Sequence, residues 1–328
     1  MRTLNSFERR FINQFQGGFP LIRHPFCRVA ATLEMGEATL IQMVDSLVQQ
    51  GWLSRFGPLY DASRLGGAQT LAALTAPVER FDEIAEIVNG FDEVAHNYRR
   101  EHELNMWFVL SVEHRSKIAP VLSAIERSCG VRVYNFPKEK EFYLGLYLEL
   151  GDDGSVKTVP SPDADRGRGY HLDARDRQLV VATQNGLPLT AEPYALVAEQ
   201  VGFDEKEVIS RLRLMLDSGA IRRVGAIPNH YRLGLKANGM TVWDVADDDV
   251  ESAGADIARL PFVSHCYQRP RYQGIWAYNL FAMVHDTHRQ GVIDKAIQIE
   301  EILGSRCQSK EMLVSSACLK KVGLRLAA

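Results

Sequence analysis

The chain has 328 residues, a formal net charge of −3, 46% hydrophobic residues and 24% charged residues. This length and composition are typical of a globular protein of two or a few domains. The charge excludes the overall basic footprint that nucleic-acid binders usually show. No stretch approaches the roughly 18 uninterrupted apolar residues of a membrane span, and no apolar run follows the charged N-terminus. We therefore expect a cytoplasmic protein with no signal peptide and no membrane association.

The five cysteines are odd in number and form no CxxC pair, which indicates reduced thiols of the cytoplasm rather than a disulfide framework. Cys266 stands beside His265, but we interpret it as a small strand residue rather than a nucleophile or ligand. The His, Cys, Asp and Glu residues show no zinc-type spacing, so we expect no metal site.

The chain contains an internal repeat, in which a shift of 168 residues aligns the first 60 or so positions of two copies. Gly18-Phe-Pro-Leu21 then matches Gly186-Leu-Pro-Leu189, and Gly57 matches Gly225. Farther along, the shift grows, because the second copy has about five extra residues between 270 and 277. We call residues 1–150 copy one and residues 171–328 copy two.

Each copy begins with helical periodicity and changes to strand periodicity. Copy one has a predicted helix at 4–15, strands at 69–75, 94–99, 105–112 and 142–148, and helices at 79–89 and 116–128. Copy two has predicted helices at 173–183 and 204–216, strands at 238–245, 263–269, 278–285 and 312–320, and helices at 250–260 and 290–303. Asp204 is a plausible N-cap, and Gly219 is a plausible C-terminal cap of the helix before it.

These patterns predict an α+β fold of two tandem repeats. Each repeat is a helix-turn-helix unit (1–66 and 171–234) followed by a ferredoxin-like βαββαβ unit (67–150 and 235–328). A sheet of this kind exposes one face, so we expect the copies to pack sheet on sheet as a pseudo-dimer. Residues 151–170 are rich in Gly, Pro and Asp and are predicted to be a flexible linker.

The helix-turn-helix units lack the charge that DNA readout needs. Residues 29–54 contain no Lys or Arg, and in copy two Lys206, Arg211 and Arg213 are outnumbered by nearby acids. Repulsion by DNA phosphates argues against DNA binding and favours a structural role for these units.

A cluster of candidate site residues lies on the strands of copy two. His265, Tyr267 and Arg269 alternate along one strand, so all three can face one ligand. Arginine supplies bidentate clamps for carboxylates, and a histidine supplies a proton donor of tunable pKa. The further candidates of copy two are His230, Arg222, Arg223, Arg271, Trp276, Tyr278 and Asn279.

Copy one repeats part of this pattern with His96, Tyr98 and Arg100, but Ala62 aligns with His230. The two copies are therefore not expected to form equivalent sites. His285 shows no partner pattern, and we interpret it as a surface residue. Large aromatic residues, among them Trp107 and Phe281, could enclose a flat ligand.

The long motifs resemble a known family. The helix-turn-helix with ferredoxin-like unit resembles Lrp/AsnC regulators. His96-Asn-Tyr-x-Arg-Glu-His-x-x-Asn-Met-Trp-Phe, His265-Cys-Tyr-x-Arg-Pro and Arg222-Arg-x-Gly-Ala-x-x-Asn-His230 resemble the sirohaem decarboxylases, specifically the fused form of the haem d1 pathway. Leu104 departs from the tyrosine often found in the family motif.

The resemblance implies removal of the acetate carboxylates on carbons 12 and 18 of sirohaem, giving 12,18-didecarboxysirohaem. It implies no added cofactor, because the iron enters with the substrate. His230, His265 and Tyr267 are expected to be catalytic, and the other candidates are expected to bind the substrate. A homodimer or a related Lrp-like partner subunit remains possible on this basis. The alternatives are a transcription regulator that senses a small ligand or haem, and a haem-binding scaffold.

Overall fold

The computed structural model describes residues 3–61, 64–161 and 171–321. The helices are α1 Ser6–Phe15, α2 Pro25–Leu33, α3 Glu37–Gln49, α4 Phe81–Asn89, α5 Ile118–Cys129, α6 Ala174–Thr183, α7 Pro193–Val201, α8 Glu205–Asp217, α9 Val250–Ala258 and α10 Arg289–Leu303. The strands are β1 Leu53–Tyr60, β2 Ala68–Leu74, β3 Val94–Arg100, β4 Met106–Val112, β5 Val133–Pro137, β6 Lys140–Leu144, β7 Tyr147–Leu150, β8 Val156–Val159, β9 Ile221–Pro228, β10 Ala237–Val245, β11 Val263–Gln268, β12 Leu280–Asp286 and β13 Cys307–Lys321.

The two helix-turn-helix units begin with the same local chemistry. Asn5 caps α1 and Asp173 caps α6, each in a capping box with the acidic residue three positions on. The predicted cap Asp204 accepts a hydrogen bond from the Lys206 amide, and Gly219 follows α8 with φ +77°, so both predictions are confirmed. Side chains of the two units share one hydrophobic core.

The two units are joined by strands that the sequence did not reveal. β1 and β9 pair antiparallel, and Gly57 lies opposite its repeat partner Gly225. A Cβ on Gly225 would lie 2.2 Å from the Phe15 carbonyl oxygen, and one on Gly57 would lie 2.8 Å from the Leu187 amide nitrogen. Only glycine permits this approach, so the matched glycines mark where each strand crosses the other copy.

The ferredoxin-like units merge into one antiparallel nine-stranded sheet, with the order β5-β2-β4-β3-β13-β10-β12-β11-β6. The end of β13 leaves its own unit and pairs with β3 of copy one, from Ser315 to Lys321. On the other side, β6 of copy one pairs with β11 of copy two. The copies therefore exchange edge strands, which leaves few unpaired strand edges between them.

The prediction that residues 142–148 form the last strand of the ferredoxin-like unit of copy one was wrong. The strand that pairs with β2 and completes the unit is β5, and the predicted segment is divided between β6 and β7. The sequence pattern correctly indicates an extended segment. Its first part, β6, pairs with β11 of copy two, and its second part, β7, pairs with β8 in a separate hairpin.

The inner faces of the two units also pack together, as expected. Trp107 and Phe136 of copy one contact Trp276 of copy two, with ring centroids 5.0 and 5.5 Å from the Trp276 ring. Phe281 and Met240 belong to the same buried cluster. These large side chains hold the two copies together by burying apolar surface.

The predicted flexible linker is partly ordered. β8 lies inside it and pairs with β7 as a hairpin, while residues 162–170 lie outside the described part of the chain. None of the helices in the described ranges combines the length and apolarity needed to cross a bilayer.

Candidate functional site

A cavity of about 840 Å³ lies between the β1–β9 ribbon and the nine-stranded sheet. This volume is in the upper part of the range of roughly 300–1,000 Å³ typical of ligand pockets. Five cationic side chains line it, against two carboxylates. The cations are Arg55, Arg64, Arg222, Arg223 and Lys321, and the acids are Asp61 and Glu141. The cavity is therefore suited to a ligand with several negative charges.

Three histidines reach this cavity from different elements. His96 lies on β3, His265 lies on β11 and His230 follows β9. The predicted convergence of His230 and His265 with Arg222 and Arg223 is thus present, although these residues are up to 43 positions apart in the sequence.

Burial and nearby cations keep the three histidines neutral. Burial, together with repulsion from Arg222, His230, Arg269 and Lys138, lowers the pKa of His265 to about 3. Burial, followed by the charge of Lys321, lowers the pKa of His230 to about 4. The same two causes lower the pKa of His96 to about 4. A bound polycarboxylate would reverse the cationic contribution and favour protonation.

The arginines of the ribbon are held by backbone carbonyls. Arg223 donates to the Leu146 carbonyl at 3.1 Å and lies over the Tyr147 ring at 4.2 Å. Its repeat partner Arg55 donates to the Gln184 carbonyl at 3.2 Å. These contacts fix the direction of each guanidinium, and both side chains line the cavity.

Arg222 is paired with other groups of the protein. It donates to Asp61 at 2.6 Å and to the Leu144 carbonyl at 3.4 Å, with a carboxylate oxygen of Glu141 3.9 Å away. An incoming carboxylate must therefore compete with Asp61 for this guanidinium.

Tyr267 lies next to the cavity rather than in its lining. Its ring centroid is 6.0 Å from the ring of His265, and Lys138 lies 5.2 Å from its centroid. Burial is the main cause of its raised pKa, and Glu141 adds to this effect. Tyr98 holds the matching position in copy one, with its hydroxyl 3.3 Å from Nδ1 of His96.

Arg100 and Arg269 share the face of their histidines, as predicted, but they do not line the cavity. Arg100 donates to the Leu313 carbonyl of β13 at 2.6 Å, and Arg269 donates to the Phe136 carbonyl of β5. Each arginine thus binds a strand of the opposite copy, namely the strand that completes its ferredoxin-like unit. The physical reason is that this end of each strand is covered by the other copy, whereas the histidine end is open.

The last four candidates of copy two lie outside the cavity lining. Arg271 pairs with Asp244 and Asp247. Asn279 exchanges hydrogen bonds with the backbone of Val245, as Asn105 does with the backbone of Ala76. These contacts secure the ends of strands rather than a ligand.

Trp276 is 2% exposed within the aromatic cluster, so it packs the copies together and does not face a ligand. Tyr278 contacts its ring at 5.0 Å and donates to Glu311 at 3.3 Å. Both residues belong to the sequence motif, but they precede β12 and lie outside the cavity lining.

The sequence interpretation of His285 was wrong. This residue is 5% exposed, not on the surface, and Nε2 lies 2.8 Å from the Ser264 hydroxyl. The same hydroxyl is 2.7 Å from Nδ1 of His265. Arg55 and Lys321 were also missed as lining residues. The match of Arg55 to Arg223 in the repeat was the one available signal, while Lys321 arrives through strand exchange.

Family models match nearly the whole of this architecture. A model of an AsnC-like ligand-binding domain matches residues 64–143 and 232–320. A model of the siroheme decarboxylase NirDL-like helix-turn-helix domain matches residues 8–53 and 176–222. The matched segments coincide with the two halves of each repeat.

Individual proteins similar to this chain indicate the same family as these models. The Siroheme decarboxylase NirDL subunit of Paracoccus denitrificans is 32% identical over 99% of this chain and 98% of its own length. The Siroheme decarboxylase NirH subunit of Pseudomonas aeruginosa is 52% identical over 46% of this chain and 88% of its own length. A crystal structure of the siroheme decarboxylase NirDL with an iron-uroporphyrin III analogue has a TM-score of 0.72 at 26% identity, covering 97% of this chain and 93% of that chain.

The fold and cavity therefore define a fused pair of AsnC-like ligand-binding units, each with its own helix-turn-helix unit. Within this class, the chain belongs to the sirohaem decarboxylase family, whose members are carboxy-lyases.

Proposed function

We propose that the cavity binds sirohaem and that the protein removes its acetate carboxylates on carbons 12 and 18 as CO2. The product is 12,18-didecarboxysirohaem, an intermediate on the route to haem d1. The observation that carries the proposal is one cavity that combines three histidines with five cationic side chains. The bound iron-uroporphyrin III analogue in the related crystal structure supports a tetrapyrrole as the ligand.

The cations of the cavity suit the charge of this substrate. Sirohaem carries eight carboxylates, and burying them without partners would be costly. Arg55, Arg222 and Arg223 come from the ribbon, and Lys321 comes from the end of β13. Charges that approach from both walls fix the orientation of the macrocycle and so select which acetate meets the histidines.

The chemistry requires one proton for each CO2 lost. The bond from the acetate methylene to its carboxylate breaks, its electron pair passes to the conjugated ring, and a proton adds to the methylene to give a methyl group. His265 and His230 are the proton donor and its partner in this step, because both line the cavity and both titrate. Tyr267, whose ring centroid is 6.0 Å from that of His265, is placed to orient the acetate.

The protein needs no added cofactor for this reaction, since the ring itself accepts the electrons and the iron arrives as part of the substrate. Among the described residues, no group of three or more His, Cys, Asp or Glu side chains has the geometry to hold a metal ion. Both copies contribute lining residues, so one chain carries the whole site, whether or not it forms a homodimer or meets a related subunit.

The decisive experiment is anaerobic incubation of the pure protein with sirohaem, followed by mass spectrometry of the tetrapyrrole. Loss of two CO2 molecules is the expected result. If sirohaem binds tightly but its mass is unchanged, the protein is a haem-binding scaffold and the proposal is wrong. A gel-shift titration against DNA at several salt concentrations tests the regulator alternative, and we expect no shift. The reason is that α3 has no basic residue, while Arg211 of α8 is bound by Asp173, Asp176 and Glu207.

A further inference from the structure

A buried chain of polar side chains lies behind His265. Ser264 is 1% exposed, and its hydroxyl lies 2.7 Å from Nδ1 of His265 and 2.8 Å from Nε2 of His285. On the far side, Nδ1 of His285 is hydrogen-bonded to Oδ1 of Asn238. The neighbouring strands β10, β12 and β11 supply these residues in turn, so the sheet itself fixes their order.

The acceptors determine where the protons lie. Burial, with several neighbouring cations and histidines, lowers the pKa of His285 well below its usual value, so His285 is neutral. Because Oδ1 of Asn238 can only accept, the single proton of His285 is on Nδ1. The Ser264 hydroxyl has two acceptors within reach, Nε2 of His285 at 2.8 Å and the Met283 carbonyl at 3.3 Å, and it donates to the closer one. The Ser264 oxygen, having spent its proton, accepts from Nδ1 of His265.

The consequence concerns the other nitrogen of His265. With a proton held on Nδ1, only Nε2 is left to gain and lose a proton, and no hydrogen bond within the described ranges engages it. Since His265 lines the cavity, this is the nitrogen available to a substrate. The same arrangement serves the neutral and the protonated imidazole, because Nδ1 keeps its proton in both.

Copy one lacks this chain, although it keeps the histidine. Ala95 replaces Ser264, Ser111 replaces His285 and Gln69 replaces Asn238 at the equivalent strand positions. Nδ1 of His96 faces the Tyr98 hydroxyl at 3.3 Å instead, and the Ser111 hydroxyl is buried without a hydrogen-bond partner in the described part of the chain.

We propose that Ser264 and His285 are positioning residues, which hold a proton on Nδ1 of His265 so that Nε2 delivers the proton to the substrate. The proposal rests on the proposed function for its catalytic consequence, but the tautomer of His265 belongs to the free protein. It explains why a buried polar chain is built behind one histidine of a repeated pair and not behind the other.

The first test reads the tautomer without any substrate. Protein labelled with nitrogen-15 in its histidines is studied by NMR at neutral pH, and a His265→Asn variant identifies the signals of His265. We expect a neutral ring with its proton on Nδ1 in the wild type. The Ser264→Ala variant should populate the other tautomer. A wild-type proton on Nε2, or an unchanged tautomer in Ser264→Ala, overturns the proposal even if the protein decarboxylates sirohaem.

The second test separates positioning from a general loss of structure. We expect Ser264→Ala and His285→Leu to lower kcat by about 10- to 100-fold, the range found when a partner that orients a ligand histidine is removed. KM should change less than about twofold, because neither residue lines the cavity. His285→Gln should restore most of kcat, since an amide can accept from Ser264 and donate to Asn238 without titrating.

Ser111→Ala is the matched control in copy one and should leave both constants unchanged. If His285→Gln is as slow as His285→Leu, or if KM rises as much as kcat falls, the positioning role is wrong. If the wild type releases no CO2, the proposed function fails, and the NMR result alone then decides whether the hydrogen-bond chain sets the tautomer.

Discussion

The ferredoxin-like units of copy one and copy two share a fold but differ in the side chains behind their common histidine. Scaffold residues are duplicated: Asn105 and Asn279 secure strand ends, and Arg100 and Arg269 each bind a strand of the opposite copy. His265 has a counterpart in His96, but Ser264, His285 and His230 have no counterpart of the same residue type in copy one.

The difference is concentrated at one end of the cavity. His265 has Ser264 and His285 behind it and His230 beside it, whereas the equivalents of these three partners in copy one are Ala95, Ser111 and Ala62. Duplication therefore preserved what both copies need for folding, while one copy alone carries the full proton-handling set. The comparison teaches that a repeated motif identifies the scaffold, and the departures from repetition identify the chemistry.

Removal of the histidines should give the largest difference in activity between the two copies. We expect His265→Ala and His230→Ala each to lower kcat by about 10²–10⁴-fold, the usual contribution of a positioned general acid or base. His96→Ala should cost less than about tenfold, the value of one hydrogen bond. Single-turnover decarboxylation of sirohaem measures all three variants. Near-normal turnover of both copy-two variants, or an equal loss of kcat in His96→Ala, would contradict the claim that copy two alone handles the proton.

The crossing glycines test the shared scaffold. Gly225→Ala should lower the free energy of unfolding by about 2–4 kcal/mol, since it combines backbone strain with a Cβ 2.2 Å from the Phe15 oxygen. Gly57→Ala should cost somewhat less, because its nearest contact is 2.8 Å. Urea unfolding supplies both values.

Gly219→Ala is the control for backbone strain alone. Its φ of +77° is also positive, but the strand crossing lies elsewhere, so only about 1–2 kcal/mol should be lost. An equal loss in Gly225→Ala and Gly219→Ala would show that the close crossing adds nothing.

The ribbon arginines test whether both copies hold the substrate. Arg223→Gln and Arg55→Gln should each raise KM by about tenfold or more, because a hydrogen bond to a charged group contributes roughly 1.5–3 kcal/mol. Steady-state kinetics with sirohaem measures this change. Arg271→Gln should leave KM unchanged, since this arginine pairs with Asp244 and Asp247 outside the cavity lining. A rise in KM for Arg271→Gln but not for Arg223→Gln or Arg55→Gln would show that the substrate binds near Arg271 rather than in the cavity.

Much of the fold follows from the sequence because its signals are local. Apolar periodicity and the predicted cap Asp204 identify the helices, and alternation identifies the strands of copy two within a few residues. The exchange of β6 and β13 between the copies could not be predicted, because a strand pattern does not say which sheet it joins.

The site was predictable only in part, for a related reason. His230, His265, Arg222 and Arg223 were found as motif residues, and they do line one cavity. Strand alternation places Arg269 on the face of His265, but it cannot show that the opposite copy covers that end. His285 was missed because its partners come from neighbouring strands, at distances along the chain that no pattern marks.

The smallest expected effect is on the pH dependence of the free energy of unfolding. The pKa values of His96 and His230 are lowered to about 4, and that of His265 to about 3, so the unfolded chain binds more protons below the ordinary histidine pKa of about 6.5. Stability should therefore be complete at pH 7 and above, and it should fall as the pH drops from 6.5 towards 4. Each histidine contributes about 1 kcal/mol of this loss by pH 5.5.

Copy two should account for most of the acid sensitivity, because burial also lowers the pKa of His285. Urea unfolding at pH 7.0 and 5.5 measures the loss in the wild type and in two variants. The His230→Asn, His265→Asn double variant should lose clearly less stability between these pH values than His96→Asn does. Carboxylates are common to all three proteins, so their contribution cancels in the comparison. An equal pH dependence in the two variants would mean that His230 and His265 together contribute no more to the acid sensitivity than His96 alone, contrary to the asymmetry argued from these residues.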